Sequence, residues 1–192
     1  TALAALADER VDYVVHLGDY IYETSGPGAV RVVPPLPSGN PCATTLDDYR
    51  LLYRTYRSDA ALQRVHENFA FIQIWDDHEF ANDAFQDFHP DNNPSPSVPT
   101  PQVRQVANQA WSEYVAAKTP FDPRQDPLHS IQIYRSFKFG TLADLVMTDE
   151  RLYRDGPPCG LDDLQRYFTA GCPNMNNPTR SMLGSAQRTW FL

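Results

Sequence analysis

Apolar and polar positions along this chain follow two alternating periods. Val11 to Leu17 and Phe69 to Trp75 are largely apolar runs of strand length, as expected of strands in a parallel sheet covered on both faces. Between them, Leu46, Tyr49, Leu52, Tyr53 and Tyr56 keep a helical spacing, and Leu62, Val65 and Phe69 follow in a second helix. Thr45-Leu-Asp-Asp48 has the spacing of a capping box, and Ser58-Asp59 is placed to cap the second helix. The order strand, loop, helices, strand is a crossover unit of a parallel sheet.

Further on, Val103, Val106, Ala110, Tyr114 and Ala117 give a helix over residues 102 to 118, with Trp111 flanking its apolar face. Residues 131 to 139 nearly alternate, Gly140-Thr141 follows, and Leu142 to Met147 is apolar again, which predicts a hairpin. Three segments lack any period and read as loops: 26 to 41, 85 to 101 with its five prolines, and 156 to 180 with one helical turn near Leu161 to Tyr167. Residues 1 to 8 read as the last turns of a helix, and Ser185 as the N-cap of one hardly begun at Leu192. The expectation is one α/β domain over residues 1–192, incomplete at both ends.

Composition narrows the function classes. With 192 residues, 42% hydrophobic and 21% charged, the chain has enough material for one globular core. A formal net charge of −8 argues against a nucleic-acid or anionic-membrane surface and fits cation binding. No apolar stretch reaches the roughly 18 residues that a membrane helix needs. Cys42, Cys159 and Cys172 lie in Pro/Gly/Asn-rich loops without zinc-site spacing. Cys159 and Cys172 flank one loop and are either a disulfide, worth roughly 3 kcal/mol for a loop of this size, or unpaired thiols.

The chemistry concentrates where apolar runs end. The first run exits into Gly18-Asp19-Tyr20-Ile21-Tyr22-Glu23, the second into Asp76-Asp77-His78-Glu79, and residues 142–147 into Thr148-Asp149-Glu150-Arg151. Carboxyl ends of parallel strands are where ligands sit. Carboxylates packed side by side repel one another, and a bound cation is the cheapest way to keep them ionised. Oxygen-rich sets favour calcium, magnesium, manganese or ferric iron. Asp19, placed after a glycine, and Asp77 are the candidate metal ligands; His78 is the candidate general acid or electrostatic stabiliser. Glu79 is expected to orient its neighbours. Asn82 is either a ligand or a helix cap, and Arg151 either contacts phosphate or pairs with Asp149 or Asp155. His16, inside an apolar run, is expected to be a hydrogen-bonded core residue; His66, His89 and His129 are assigned no role.

Gly-Asp-Tyr-Ile-Tyr-Glu at 18–23, Trp-Asp-Asp-His-Glu at 75–79 with Asn82, Thr-Asp-Glu-Arg-Leu-Tyr-Arg-Asp at 148–155 and Leu-Gly-Ser-Ala-Gln-Arg-Thr-Trp at 183–190 together resemble the PhoD-like alkaline phosphatase/phosphodiesterase family, within the calcineurin-like metallophosphoesterases. The resemblance implies a two-sheet sandwich flanked by helices, with iron and calcium ions at the strand ends. By matching positions, Asp19 resembles the carboxylate bridging two metals, Tyr22 the phenolate on ferric iron, and His78 the proton donor to the leaving group. Asp77 stands where the superfamily usually has asparagine, with Asn82 as a further ligand. Asp149 and Arg151 match a strand-end Asp-x-Arg that serves metal and phosphate. The resemblance also places further ligands before residue 1 and in a Gly-Asp-x-His segment after residue 192.

These motifs together lead to the expectation of a secreted or periplasmic metal-dependent hydrolase of phosphate mono- or diesters. In it, hydroxide activated by the metals attacks phosphorus in line while His78 assists the departing alcohol. The alternatives are a phospholipase D-like phosphodiesterase and, with the terminal ligands missing, a noncatalytic ion- or phosphate-binding remnant.

Overall fold

The computed structural model describes residues 1–192 except Asn92, Asn93 and Ala170. These three fall within two of the predicted loops and lie outside the described residues. The first crossover unit forms as the spacing predicts. Strand β1 (Tyr13–His16) pairs in parallel with β2 (Ala70–Gln73), Tyr13 opposite Ala70 and His16 opposite Gln73. Helix α1 (Ala2–Leu6) precedes β1, and α2 (Leu46–Arg57) and α3 (Ala60–Asn68) fill the crossover. Thr45 caps α2 in a complete capping box with Asp48, and the Asp59 side chain accepts from the Ala61 and Leu62 amides at the start of α3. Helix α4 (Pro101–Tyr114) follows the proline-rich loop and ends short of the predicted Lys118.

The predicted hairpin is also present: β3 (Arg135–Phe139) runs antiparallel to β4 (Ala143–Met147). Side chains of the hairpin also meet the first sheet. Tyr13 of β1 stacks on Phe139 at 5.1 Å between ring centroids, and the Arg135 guanidinium donates to the Gln73 carbonyl at 2.5 Å. The helical turn predicted in the last long loop is a π-helical turn at Leu164–Phe168. Helix α5 (Gly184–Phe191) begins a residue earlier than expected, so Ser185 lies inside its first turn and does not cap it.

One expectation needs revision in detail. The sheet strands are not covered on both faces among the described residues: Tyr13, Val15 and Leu17 stay exposed while their neighbours face inward. The core lies on the other side, where Leu52 and Tyr53 of α2 pack with Ile21, Trp75, Phe80, Trp111 and Ile133. Burying each of these side chains contributes about 1.5–3 kcal/mol. An Arg50–Glu113 fork, with both N···O distances at 2.7 Å, ties α2 to α4 at the surface. The Tyr49 hydroxyl, buried in the core, donates to the Phe80 carbonyl at 2.8 Å. That bond anchors the polar loop after β2 to helix α2, and so fixes where the acidic exit of β2 sits.

Candidate metal centre

Parallel pairing of β1 with β2 brings their two exits side by side, and the backbone then closes the remaining gap. At Gly18, φ is +109°, and a Cβ would fall 2.1 Å from the Asp76 amide nitrogen and 2.6 Å from the Trp75 carbonyl carbon. Only glycine lets the exits approach this closely. Asp19 follows with φ of +54°, a left-handed conformation that turns its side chain out of strand register.

Glu79 locks this juxtaposition. The residue is 3% exposed, and its carboxylate accepts the amides of Asp19 at 3.1 Å, Tyr20 at 2.5 Å and Asp76 at 2.8 Å. One buried side chain thus fastens the backbones of both exits, the orienting role expected of it. Burial pushes its carboxyl up to about 7, against the three amides that pull it down.

The fastening gathers Asp19, Asp77 and His78 so that one ligand atom from each lies within 4.8 Å of the others. Asp77 is held by the Asp83 amide, which donates to its Oδ2 at 2.6 Å. The His78 Nδ1 pairs at 2.7 Å with Glu23, whose other oxygen accepts the Asn82 amide at 2.9 Å. The Tyr22 ring lies against the His78 ring at 4.1 Å, and its hydroxyl donates to Asp19 Oδ2 at 3.3 Å. The Arg151 Nε donates to Asp76 Oδ1 at 2.5 Å, and its guanidinium lies 3.6 Å from Asp77 Oδ1. Arg151 therefore pairs with the β2 exit and not with Asp149 or Asp155.

Charge in this small volume is out of balance. Burial, then the neighbouring Asp77 and Asp76, raise the Asp19 carboxyl, with His78 and the Tyr22 hydroxyl opposing. Burial disfavours a charged His78 ring, but the hydrogen bond and charge of Glu23, helped by Asp77 and Asp19, outweigh it and lift the ring to about 9. Asp19 Oδ1 is walled off from water and has no hydrogen-bond partner among the described residues, the condition a cation relieves. The oxygen donors, the carboxylates of Asp19 and Asp77 with the Tyr22 phenol beside them, fit a hard cation such as calcium or ferric iron, with the His78 ring held next to it by Glu23.

The other predicted ligands are placed differently. Asn82 reaches the centre through its backbone amide, while its side-chain amide donates to Asp91. Asp149 is fully buried outside the group of three. Its Oδ1 accepts the Trp75 indole at 3.0 Å and the amides of Arg151 and Leu152 at 2.9 Å. Its own backbone amide and carbonyl are gripped by the Gln187 side chain at 2.7 Å each. Asp149 thereby shapes the turn that presents Arg151. His16, as expected, is partly buried and hydrogen-bonded, its Nδ1 accepting from the Gly18 amide at 3.3 Å.

Several residues near the centre carry no clear signal of their role in the sequence. Glu23 and Asp76 stand at strand exits, but nothing in their spacing says which one holds a histidine and which an arginine. Arg166 lies far along the chain in an irregular loop, and its side chain, 4% exposed, pairs with Asp83, Asp91 and Asp163. Tyr167 also donates to Asp83. A Cys159–Cys172 disulfide closes this loop, deciding between the two states left open for these cysteines; Cys42 is free. No helix among the described residues is long and apolar enough to cross a membrane.

Comparison with known proteins gives a consistent set of likenesses. The family model for PhoD-like phosphatases matches residues 1–192. Over 200 aligned residues the chain is 33% identical to "Alkaline phosphatase D" of Bacillus subtilis (strain 168), covering 100% of this chain and 31% of that protein. A solved "Structure of PhoD" superposes with a TM-score of 0.77 at 31% identity, over 98% of this chain and 34% of that one. The α/β arrangement of small sheets and helices is thus shared with a solved relative. The chain spans about a third of the length of the relatives it matches.

Proposed function

The chain belongs to the PhoD-like phosphatase family, and we propose that it supplies part of the active centre of a metal-dependent phosphoester hydrolase acting on small phosphate mono- and diesters. The observation that carries this reading is the convergence of Asp19, Asp77 and His78 from two strand exits onto one site, with a buried oxygen on Asp19 that has no partner among the described residues. Asp19 and Asp77 are the residues that would hold the metals, iron and calcium, with Tyr22 beside Asp19 as the phenol for ferric iron. Asn82 adjoins them, and Asp149 contributes by shaping the turn that carries Arg151.

Cations held there would neutralise phosphoryl oxygens and lower the pKa of water for attack on phosphorus. The chain's own groups do the remaining work. Glu23 occupies His78 Nδ1, which leaves Nε2 as the nitrogen that donates a proton to the departing alkoxide oxygen. The same carboxylate favours the protonated ring that this role needs. Arg151, oriented by Asp76, has donors left over for the non-bridging oxygens. The Cys159–Cys172 disulfide supports a secreted or periplasmic protein, and a formal net charge of −8 disfavours a nucleic-acid partner.

The test is turnover of p-nitrophenyl phosphate and its bis ester by the whole protein with calcium and iron supplied. His78→Ala is expected to lower turnover by roughly 100- to 10,000-fold, the usual worth of a general acid, with metal content unchanged. Metal content falling in step would make His78 a ligand. Unchanged turnover would remove it from the mechanism, and a wild-type protein inert toward both esters would sink the hydrolase reading.

A further inference from the structure

Arg154 is a charged group that the mechanism leaves unused, and part of its guanidinium lacks an acceptor. Burial, with the charge of Arg151 adding to it and those of Asp83, Asp77 and Asp76 opposing, lowers the pKa of its guanidinium; it forms no ion pair or hydrogen bond with any described residue, and its Nε is shut off from water with no acceptor among them. Arg151 is already engaged by Asp76 and Asp77. A partly buried guanidinium carries five donors in a fixed fork, and holding it beside a like charge without a bound carboxylate is costly. An anion supplied from outside would satisfy it.

The place for that anion is a cavity of about 220 Å³ lined by Arg154, Asp155, Pro157, Arg180 and Ser181. Water in bulk occupies about 30 Å³ per molecule, so the space suits a group of several heavy atoms. Its wall is made rigid by backbone pairing. The Asp155 amide donates to the Ser181 carbonyl at 2.9 Å, and Asp155 Oδ2 accepts the Ser181 amide at 2.7 Å, which engages one oxygen of that acid. Arg180 is braced by donating to the Gly156 carbonyl. None of these residues belongs to the group formed by Asp19, Asp77 and His78, while Arg154 lines the cavity and follows Arg151 by three positions.

We propose that the Arg154–Arg180 cavity binds a second anionic group of the substrate, a phosphate or carboxylate other than the phosphoryl being transferred. This rests on the phosphoester reading above and adds a preference to it: esters carrying a second negative group are favoured over singly substituted ones. Arg154 is then a specificity-determining residue, acting on substrate and not on the reacting atoms.

The experiment compares kcat/KM of the whole protein, metals supplied, for phenyl phosphate and 4-carboxyphenyl phosphate, and measures binding of inorganic phosphate and pyrophosphate by calorimetry. Arg154→Leu and Arg180→Leu are expected to reduce the preference for the carboxylated ester by roughly 10- to 100-fold, mainly through KM, as loss of charged hydrogen bonds implies. Arg154→Lys should restore part of it, and metal content serves as the check on folding. A preference that is absent in the wild type, or unmoved by either substitution, overturns the proposal. Should the wild type hydrolyse neither ester, the parent reading fails, and calorimetry alone then decides the cavity: pyrophosphate binding more tightly than phosphate, with Arg154→Leu erasing the difference, upholds it, and equal binding removes it.

Discussion

Glu79 is the side chain whose removal should separate the two strand exits, and the cost can be worked from its contacts. Its carboxylate accepts three backbone amides, two of them from the β1 exit and one from the β2 exit. Glu79→Ala leaves all three donors without a partner in a site where the parent residue is 3% exposed. At about 1–3 kcal/mol for each buried unsatisfied group, and with water entering the vacated space to relieve part of it, the expected loss is about 3–5 kcal/mol. Glu79→Gln differs in a specific way. Its single oxygen can keep the Asp19 and Asp76 amides that now share Oε2, but its NH2 then faces the Tyr20 amide, donor against donor, for a loss of about 1–3 kcal/mol.

Urea unfolding of the whole protein measures both, read as a shift of midpoint at constant slope. Hydrogen exchange at the amides of Asp19, Tyr20 and Asp76 locates the effect, with all three accelerated in the alanine variant and Tyr20 foremost in the glutamine variant. Metal uptake should weaken in the same order, since Asp19 and Asp77 lose their common frame. Equal stability of the two variants, or unchanged exchange at these amides, would refute the idea that Glu79 is the fastener.

Two other contacts give outcomes of their own. Burial, with Arg57 and His16 adding to it, lowers the His66 ring to about 4, while its Nε2 pairs with the Tyr20 hydroxyl at 2.8 Å and its ring stacks on Phe71. A folded value below the unfolded one of about 6.5 means stability is full above pH 6.5 and is lost as pH falls toward 4; partial exposure holds the loss to about 1–2 kcal/mol, and His66→Phe should flatten that part of a thermal-melt pH profile. Replacing both Cys159 and Cys172 by serine opens a loop whose ends are 13 residues apart in sequence. The expected cost is about 3 kcal/mol, with proteolysis near Arg166 accelerating first. An unchanged melting temperature together with unchanged cleavage would show that the disulfide constrains nothing that matters.

Local features of the fold are legible in the amino-acid order. The capping box at Thr45 and the cap at Asp59 are of this kind: a side chain three residues from an amide finds it whatever the rest of the chain does. The hairpin around Gly140 is local in the same sense. Ser185 shows the limit, because it has a capping residue's identity while α5 begins at Gly184 and Gln187 is turned into Asp149. The coverage expected of β1 also failed to appear among the described residues. An apolar run says that a strand is sticky on both faces, not what lies against each.

What the amino-acid order determined by itself is the set of elements and the clustering of acids and a histidine at their ends, because periodicity, caps and strand exits depend on neighbours within a few positions. Which of those polar groups meet was decided only in three dimensions. Asp149 and Asp77 both follow apolar runs, yet Asp149 gives its Oδ1 to a buried turn and Asp77 lies against Asp19. Glu23 holds His78, Arg151 leans on Asp76, and Arg154 is left without a partner among the described residues. Sequence proximity cannot distinguish these fates, since each turns on the approach of segments far apart along the chain, which the close passage of Gly18 over the Trp75–Asp76 backbone permits and the three amides on Glu79 hold in place.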